Sequence, residues 1–411
     1  MNYKYPLCKD NLNKSDIQHI CDWLSQEETP QLSMGKEVRK AEEMLAKWVG
    51  RKYAVLVNSG SSANLLAAWA LRCSKMLKNG KVCVCGVGWA TTISPFMQLK
   101  GFDTPIMIDA SIKNFAMDLD ILEKKCEEED PGLVVIVQPL GVLIDKDRLL
   151  RLKEKYNFVL MEDACAAVSS SYADGVKAGN IGNISTWSTF FGHQLTAAGA
   201  VEGGVVFCDN IDLYNLLIMA REHGFIKNLP ENERQDIIKK YEIEKLYEKF
   251  SFIIPGFNLR PIEMLGVSLQ RKILELDDIA EKRYKNHKLY QKHLSDLADD
   301  GTLIFQDIQD NKVSSISFAI LLGKDIDHVS VARANVVEAL EKNSIETRIY
   351  SAGNLGQSVF WKNFSGDKNG FRGPIAERIH KNGMFLPNYI SLTEEDIIFI
   401  CNVIKGAVYN K

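Results

Sequence analysis

The sequence predicts an α/β protein: a large domain with a mostly parallel sheet covered by helices, followed by a smaller α+β C-terminal domain. Three observations carry this. Between about residue 36 and residue 210, apolar runs of strand length recur at Tyr53–Val57, Lys81–Val87, Thr104–Asp109, Leu133–Gln138, Phe158–Asp163 and Val205–Phe207. Amphipathic stretches separate them, and strands apolar on both faces need cover on both sides, as in a parallel sheet. After Pro261 the pattern changes to long helical stretches with isolated short strands.

Each element has a local reason. In Lys36–Val49, Val38, Ala41, Met44, Leu45 and Trp48 fall on one helical stripe, and Gly50 follows as a stop. Tyr53–Val57 leads into Asn58-Ser59-Gly60-Ser61-Ser62, which opens the helical stretch ANLLAAWALRC. Glu231–Phe250 is charge-rich and reads as a solvated helix, with a mobile flap as the alternative. Glu263 to about Leu297 reads as a long helix broken near Leu276-Asp277-Asp278. Ser315–Leu322 and Ile345–Tyr350 read as strands, His328–Lys342 as a helix, and Ser391–Lys405 as a last helix opened by Ser-Leu-Thr-Glu-Glu. The expected division is 1–260 for a large cofactor-binding domain and 261–411 for the small one.

Composition narrows the class. The 411 residues carry 50 basic and 53 acidic side chains, a formal charge of −3, so no bulk positive field exists to hold nucleic acid or an anionic membrane. No run reaches the ~18 apolar residues of a membrane span, and the first ten residues lack a signal-peptide core. Nine scattered cysteines read as reduced thiols, so a cytoplasmic enzyme is expected. Cys83 and Cys85 share a strand face, but no second pair or histidine has ligand spacing, so no metal is expected.

Three constellations can carry chemistry. Asn58–Asn64 (NSGSSAN) sits where a strand meets a helix, and unpaired N–H donors at that end suit either a phosphate or a plain cap. Glu162-Asp163 ends a buried strand at the edge where such sheets bind ligands. It suits a pyridinium N–H, as a pyridoxal-type cofactor needs, or merely caps the next turn. Ser188–Thr196 (STFFGHQLT) precedes Glu202-Gly203-Gly204, and its His193 suits proton transfer near neutral pH.

Taken in order with Tyr5-Pro6-Leu7, Met34–Val38, Gly88–Thr92, Arg221–Gly224 and Ile254–Pro261, these pieces resemble the sugar-nucleotide aminotransferase family of fold type I pyridoxal-phosphate enzymes. In that family a lysine before Glu-Gly-Gly bonds covalently to the cofactor. Here the position is His193. Imidazole cannot form that bond but can move protons at the cofactor's C4′ carbon. One branch, the sugar-nucleotide 3-dehydratases, has this same replacement.

The resemblance implies roles for single residues. Gly60, Ser61 and Ser188 would bind the cofactor phosphate, with Asn258 reaching the phosphate of a partner subunit's site. Trp89 would stack on the pyridine ring, Asp163 would bind its nitrogen, and His193 would act as general base and acid. Arg348 matches a position near the substrate pocket. It further implies pyridoxamine or pyridoxal 5′-phosphate as cofactor, a nucleotide-linked 4-keto-6-deoxy sugar as substrate, loss of the 3-hydroxyl, L-glutamate as amino donor, and a homodimer with shared sites. The cysteines lack the set that iron–sulfur-coupled relatives need. Two departures stand out. Glu202 lies nine residues after His193, later than the family spacing, and Ala166 stands where the family has a polar group near the cofactor's 3-hydroxyl. Another reaction of the same cofactor on a nucleotide sugar, aminotransferase-like, and a non-catalytic cofactor-binding homologue are the alternatives.

Overall fold

The computed structural model describes residues 3–9, 13–26, 30–190, 202–323 and 326–409, with only the backbone for 326–332. The chain begins with helices α1 (Lys14–Leu24) and α2 (Lys36–Val49), then alternates β1 (Tyr53–Val57), α3 (Gly60–Cys73), β2 (Val82–Cys85), α4 (Ala90–Gln98), β3 (Ile106–Ile108), α5 (Leu119–Glu129), β4 (Leu133–Val137), α6 (Lys146–Tyr156) and β5 (Val159–Asp163). Strands β6 (Ile184–Ser188) and β7 (Gly204–Cys208) and helices α7 (Ile211–Arg221) and α8 (Glu231–Lys240) follow.

The seven strands form one sheet in the order β1-β7-β6-β5-β4-β2-β3. Strands β2 to β6 run parallel, whereas β7 is antiparallel to both of its neighbours, β1 and β6. Alternate side chains enter two separate cores. Val134, Ile136 and Leu160 join one cluster, and Leu133, Val135 and Met161 join the other. Both faces are dry, which is why these strands read as continuous apolar runs.

Helix α2 ends at Gly50, whose φ of +91° a glycine adopts without strain. Its start is held from afar: the buried Glu263 carboxylate accepts the N–H groups of Gly35, Glu37 and Val38 at 2.6, 2.8 and 3.2 Å. A carboxylate suits the positive end of a helix.

The second half adds α9 (Glu263–Lys272), α10 (Leu276–His293), α11 (Ser295–Asp299), β8 (Leu303–Phe305), β9 (Ser317–Leu322), α12 (Ile326–Lys342), β10 (Arg348–Ile349), α13 (Val359–Phe364), α14 (Pro374–Asn382), β11 (Gly383–Pro387) and α15 (Glu394–Tyr409). Its four strands form an antiparallel sheet in the order β10-β11-β9-β8. Tyr290, Phe318, Leu340, Leu386 and Ile400 fill its core. Leu265, Leu269, Ile273 and Leu276 pack instead in the cluster of the large sheet, with Val38 and Leu45.

Strand β6 is one the sequence did not announce, and three expected elements differ in extent. The long helix breaks at a 3-10 turn over Ile273–Glu275, just ahead of the expected place. The charge-rich stretch is α-helical only to Lys240, with a separate 3-10 turn at Glu248–Phe250; the helix buries no residue fully and packs only Ile237 and Ile238 on the core. The strand at 345–350 shortens to Arg348–Ile349, paired with Phe385 and Met384, while Ile345 bridges to Tyr5 instead. Among the described residues no helix is long and apolar enough to cross a membrane, and no group of three or more potential metal ligands occurs.

Candidate active site

The carboxyl ends of β1, β5 and β6 meet the first turn of α3. Ser59 caps that helix, accepting the Ser62 N–H at 3.0 Å. The amides of Gly60 and Ser61 have no acceptor among the described residues and lie at the positive helix end. Gly60 is required by close approach: a Cβ there would lie 2.5 Å from the Ser188 Cβ and 3.2 Å from the Cys165 sulfur. Ser188 ends β6 and pairs with Gly204 across the sheet. Its hydroxyl accepts the Phe190 N–H at 3.0 Å.

Ser61 and the start of α4 are tied together, since the Ser61 hydroxyl donates to Thr91 Oγ1 at 2.8 Å. Trp89 is the residue before α4 and is 59% exposed, a large apolar face without cover. The preceding carbonyl, of Gly88, accepts the hydroxyl of Ser351 at 2.7 Å and the Ala352 N–H at 3.2 Å, so the second half of the chain closes on this corner.

Strand alternation separates Glu162 from Asp163. Glu162 turns to the face away from α3, where it accepts Gln138 Nε2 and the N–H groups of Gly179 and Ile181 at 2.9 to 3.1 Å. Burial raises its proton affinity, and these three donors oppose the rise. It is a scaffold group. Asp163 turns toward α3 and is 3% exposed. Its Oδ2 accepts Asn64 Nδ2 at 2.9 Å and the Thr92 hydroxyl at 2.6 Å, while Oδ1 accepts the Cys165 N–H at 3.1 Å. Burial, with the Asp163 charge beside it, pushes the Cys165 thiol well up, so it stays protonated and inert.

Asn258 is exposed on the segment that bridges back to Glu222. Its Oδ1 accepts Arg260 Nε at 2.9 Å, and Arg260 in turn reaches the buried Glu222 carboxylate at 3.3 Å. With its oxygen engaged, the Asn258 amide N–H groups are the part left to donate to an anion. Arg348 is not brought to this cluster. Its guanidinium pairs with Glu346 at 3.1 Å and two thirds of the side chain is exposed. Lys177 is also occupied elsewhere, lying 3.6 Å over the Trp48 ring and 3.5 Å from Asp277. His193 lies outside the described residues, as do Ala197–Ala200 of the lengthened segment; Ala166 is partly buried beside the cofactor corner.

Asn64, Thr92, Glu222 and Arg260 fall within motifs the sequence singled out but carry no role there, and Thr186 falls in none; Asn64, Thr92 and Thr186 lie around Asp163, and Glu222 with Arg260 behind Asn258. Asn64 had a signal: it is the one amide on a helix stripe otherwise made of Gly60, Ala63, Ala67, Ala68 and Leu71.

The donor set fits pyridoxal or pyridoxamine phosphate. Asp163 is a buried carboxylate with no basic side chain paired to it among the described residues, which suits a protonated ring nitrogen. The free amides of α3 and Ser188 suit a phosphate, and the open Trp89 face suits a ring. Sheet order, helix cover and this corner together define a fold type I pyridoxal-phosphate transferase.

The chain belongs to the DegT/DnrJ/EryC1/StrS aminotransferase family, whose profile matches residues 12–405. It is 30% identical over 409 residues to the GDP-4-keto-6-deoxy-D-mannose 3-dehydratase of Yersinia pseudotuberculosis, covering 98% of both chains. It is 28% identical over 407 residues to the enzyme of the same name from Escherichia coli O55:H7, covering 98% of this chain and 99% of that one. Among solved structures it is similar to the E. coli GDP-4-keto-6-deoxy-D-mannose-3-dehydratase with bound hydrated PLP, with a TM-score of 0.85, 28% identity, and coverage of 98% of this chain and 100% of that chain. It is likewise similar to a GDP-4-keto-6-deoxymannose-3-dehydratase holding a trapped PLP-glutamate geminal diamine, with a TM-score of 0.84, 27% identity and the same coverage.

Proposed function

We propose that this protein is a pyridoxamine-phosphate-dependent 3-dehydratase of a nucleotide-linked 4-keto-6-deoxy sugar, working as a homodimer with shared sites. The observation that carries the cofactor reading is the buried Asp163, which has no basic side chain paired to it among the described residues, beside the α3 amides that lack an acceptor among them. The full-length similarity to 3-dehydratases supports the reaction, and the glutamate adduct of one relative supports L-glutamate as amino donor. When bound, the cofactor would supply an amine for the 4-keto group and a ring that accepts electrons as the 3-hydroxyl leaves as water; with hydrolytic water supplying the aldehyde oxygen, the sugar ends one oxygen lighter and ammonia is released.

The chain's own residues bind, orient and move protons. Gly60, Ser61 and Ser188 anchor the phosphate, and Asn258 donates to the phosphate in the partner's site. Trp89 covers the ring, and Asp163 holds its nitrogen protonated. His193 takes and returns the proton at C4′; a histidine rather than lysine there leaves the cofactor free to come and go. Lys177, the nearest upstream lysine, is committed to Trp48 and Asp277 and supplies no substitute. Residues 1–260 carry these groups and 261–411 are assigned to the smaller domain; Arg348, exposed and outside the cluster, is the proposed substrate contact.

The test is incubation with pyridoxamine phosphate, glutamate and candidate 4-keto-6-deoxy nucleotide sugars, read by mass spectrometry and ammonia release. A product lighter by one oxygen, with ammonia, supports the reading; a stable amino sugar overturns it. His193→Lys should trap the cofactor covalently and suppress dehydration, and full activity in His193→Ala would remove that residue from the mechanism.

A further inference from the structure

We infer that Asn64, Thr92 and Thr186 are positioning residues that select Asp163 Oδ1 as the oxygen facing the cofactor ring. This rests on the role proposed above for Asp163.

The argument is a count of lone pairs. A carboxylate oxygen has two lone-pair sites, and an ionised carboxylate only accepts. Asp163 Oδ2 takes the Asn64 amide at 2.9 Å and the Thr92 hydroxyl at 2.6 Å, so both of its sites are filled. Among the described residues Oδ1 takes one strong bond, the Cys165 N–H at 3.1 Å; the Cys165 thiol beside the carboxylate is only a weak donor, so Oδ1 is the oxygen with room for a stronger one. Orientation is set one step further out. Because Asp163 can only accept, Asn64 must present its nitrogen to it. Its oxygen then faces Thr186, whose hydroxyl donates at 2.6 Å. Thr186 thus orients Asn64, and the two side-chain donors that reach the carboxylate, Asn64 and Thr92, both aim at Oδ2. All four residues are buried, at 3% exposure or less, so no water competes for these sites.

Position makes this a coupling device. Asn64 lies one turn into α3, whose start offers the open amides, and Thr92 lies in the first turn of α4, directly behind Trp89. The Ser61–Thr91 bond ties the two helix starts. Phosphate grip, ring cover and ring-nitrogen contact are thus joined through two helix turns. The donors on Oδ2 also stabilise the ionic pairing of carboxylate with pyridinium against the neutral pairing, since they bond best to a charged acceptor.

The test uses the full chain loaded with ring-15N pyridoxal phosphate. Affinity is read by equilibrium titration and ring-nitrogen protonation by 15N NMR. Thr92→Val and Asn64→Leu should each weaken binding roughly 10-fold, the scale of one hydrogen bond to a charged group. Both should move the ring-nitrogen signal from the pyridinium toward the pyridine position, and Thr92→Ser should restore both readings. Thr186→Val, which does not touch Asp163, should give a smaller change of the same sign, and it decides the matter if a first-named variant does not fold. Wild-type affinity and signal in the variants, with both lost in Asp163→Asn, would overturn this inference alone. Wild-type behaviour in Asp163→Asn would overturn the reading of the site itself.

Discussion

The buried pair Glu42–Arg221 offers a prediction whose size can be worked from its surroundings. Strand β1 is the edge of the large sheet, so the outer N–H and C=O of Leu56 have no strand partner. Glu42 Oε1 accepts the Leu56 N–H at 2.8 Å, and Arg221 Nη1 donates to the Leu56 C=O at 2.8 Å and to Glu42 Oε1 at 2.6 Å. The side chains are only 9% and 3% exposed. Glu42→Leu leaves a buried guanidinium without its counter-charge, which costs about 3–5 kcal/mol. The orphaned Leu56 amide pushes the loss toward the upper end. Glu42→Leu/Arg221→Met removes both charges and retains only the unpaired Leu56 groups, so it should be more stable than either single variant by about 2 kcal/mol. The assay is urea unfolding followed by circular dichroism, with the slope m unchanged. Single losses below about 1 kcal/mol, or a double variant whose loss is the sum of the singles, would refute the reasoning.

Three further outcomes are expected. Gly60→Ala should weaken pyridoxal phosphate binding at least ~10-fold in a fluorescence titration, because the added carbon meets the Ser188 side chain at 2.5 Å and must displace a phosphate-facing group. Burial pushes His287 down to about 3, against about 6.5 unfolded; the unfolded chain thus binds the extra proton first, and stability should fall by ~1.4 kcal/mol per unit as pH drops below 6.5, toward a total near ~5 kcal/mol by pH 3. Urea midpoints for wild type and His287→Gln should converge in this acid range if that histidine is responsible, and parallel curves would count against it. Thiol labelling at pH 8 should leave Cys83, Cys85, Cys126, Cys208 and Cys401 silent until denaturant is added, because all are buried and pushed up to about 11 or 12.

Six strands of the large sheet were legible as apolar runs, whereas β6 escaped because Ser185, Thr186 and Ser188 break its apolar pattern; the start of α3 was legible because Ser59-Gly60-Ser61 follows a strand with residues favoured at a helix cap. Direction was not legible. Residue period is the same for a parallel and an antiparallel strand, so nothing in Gly204–Cys208 announced that β7 runs against its neighbours. The small sheet was half-read, since Leu303–Phe305 and Gly383–Pro387 are too short or too mixed to declare a period and depend on β9 for pairing. Glu162 and Asp163 looked like one acidic pair, and only the pleat separates scaffold from site. The supports of Asp163 escaped because they are 71 and 99 residues away along the chain.

The reversed direction of β7 has a consequence for how this enzyme type can diversify. Because β7 is antiparallel to β6, its first residue, Gly204, sits beside the last residue of β6, Ser188, and the Thr189 N–H bonds the Gly203 C=O at 2.9 Å. The segment bearing His193 thus leaves and re-enters the sheet at a single point. A connection anchored this way behaves as a cassette. Its length and its sequence can change without shifting strand register, and each further residue adds only slowly to the closure entropy. The late Glu202 is then no defect of the match but a use of that freedom, and exchanging residues 190–202 between relatives is a rational route to new chemistry on an unchanged frame.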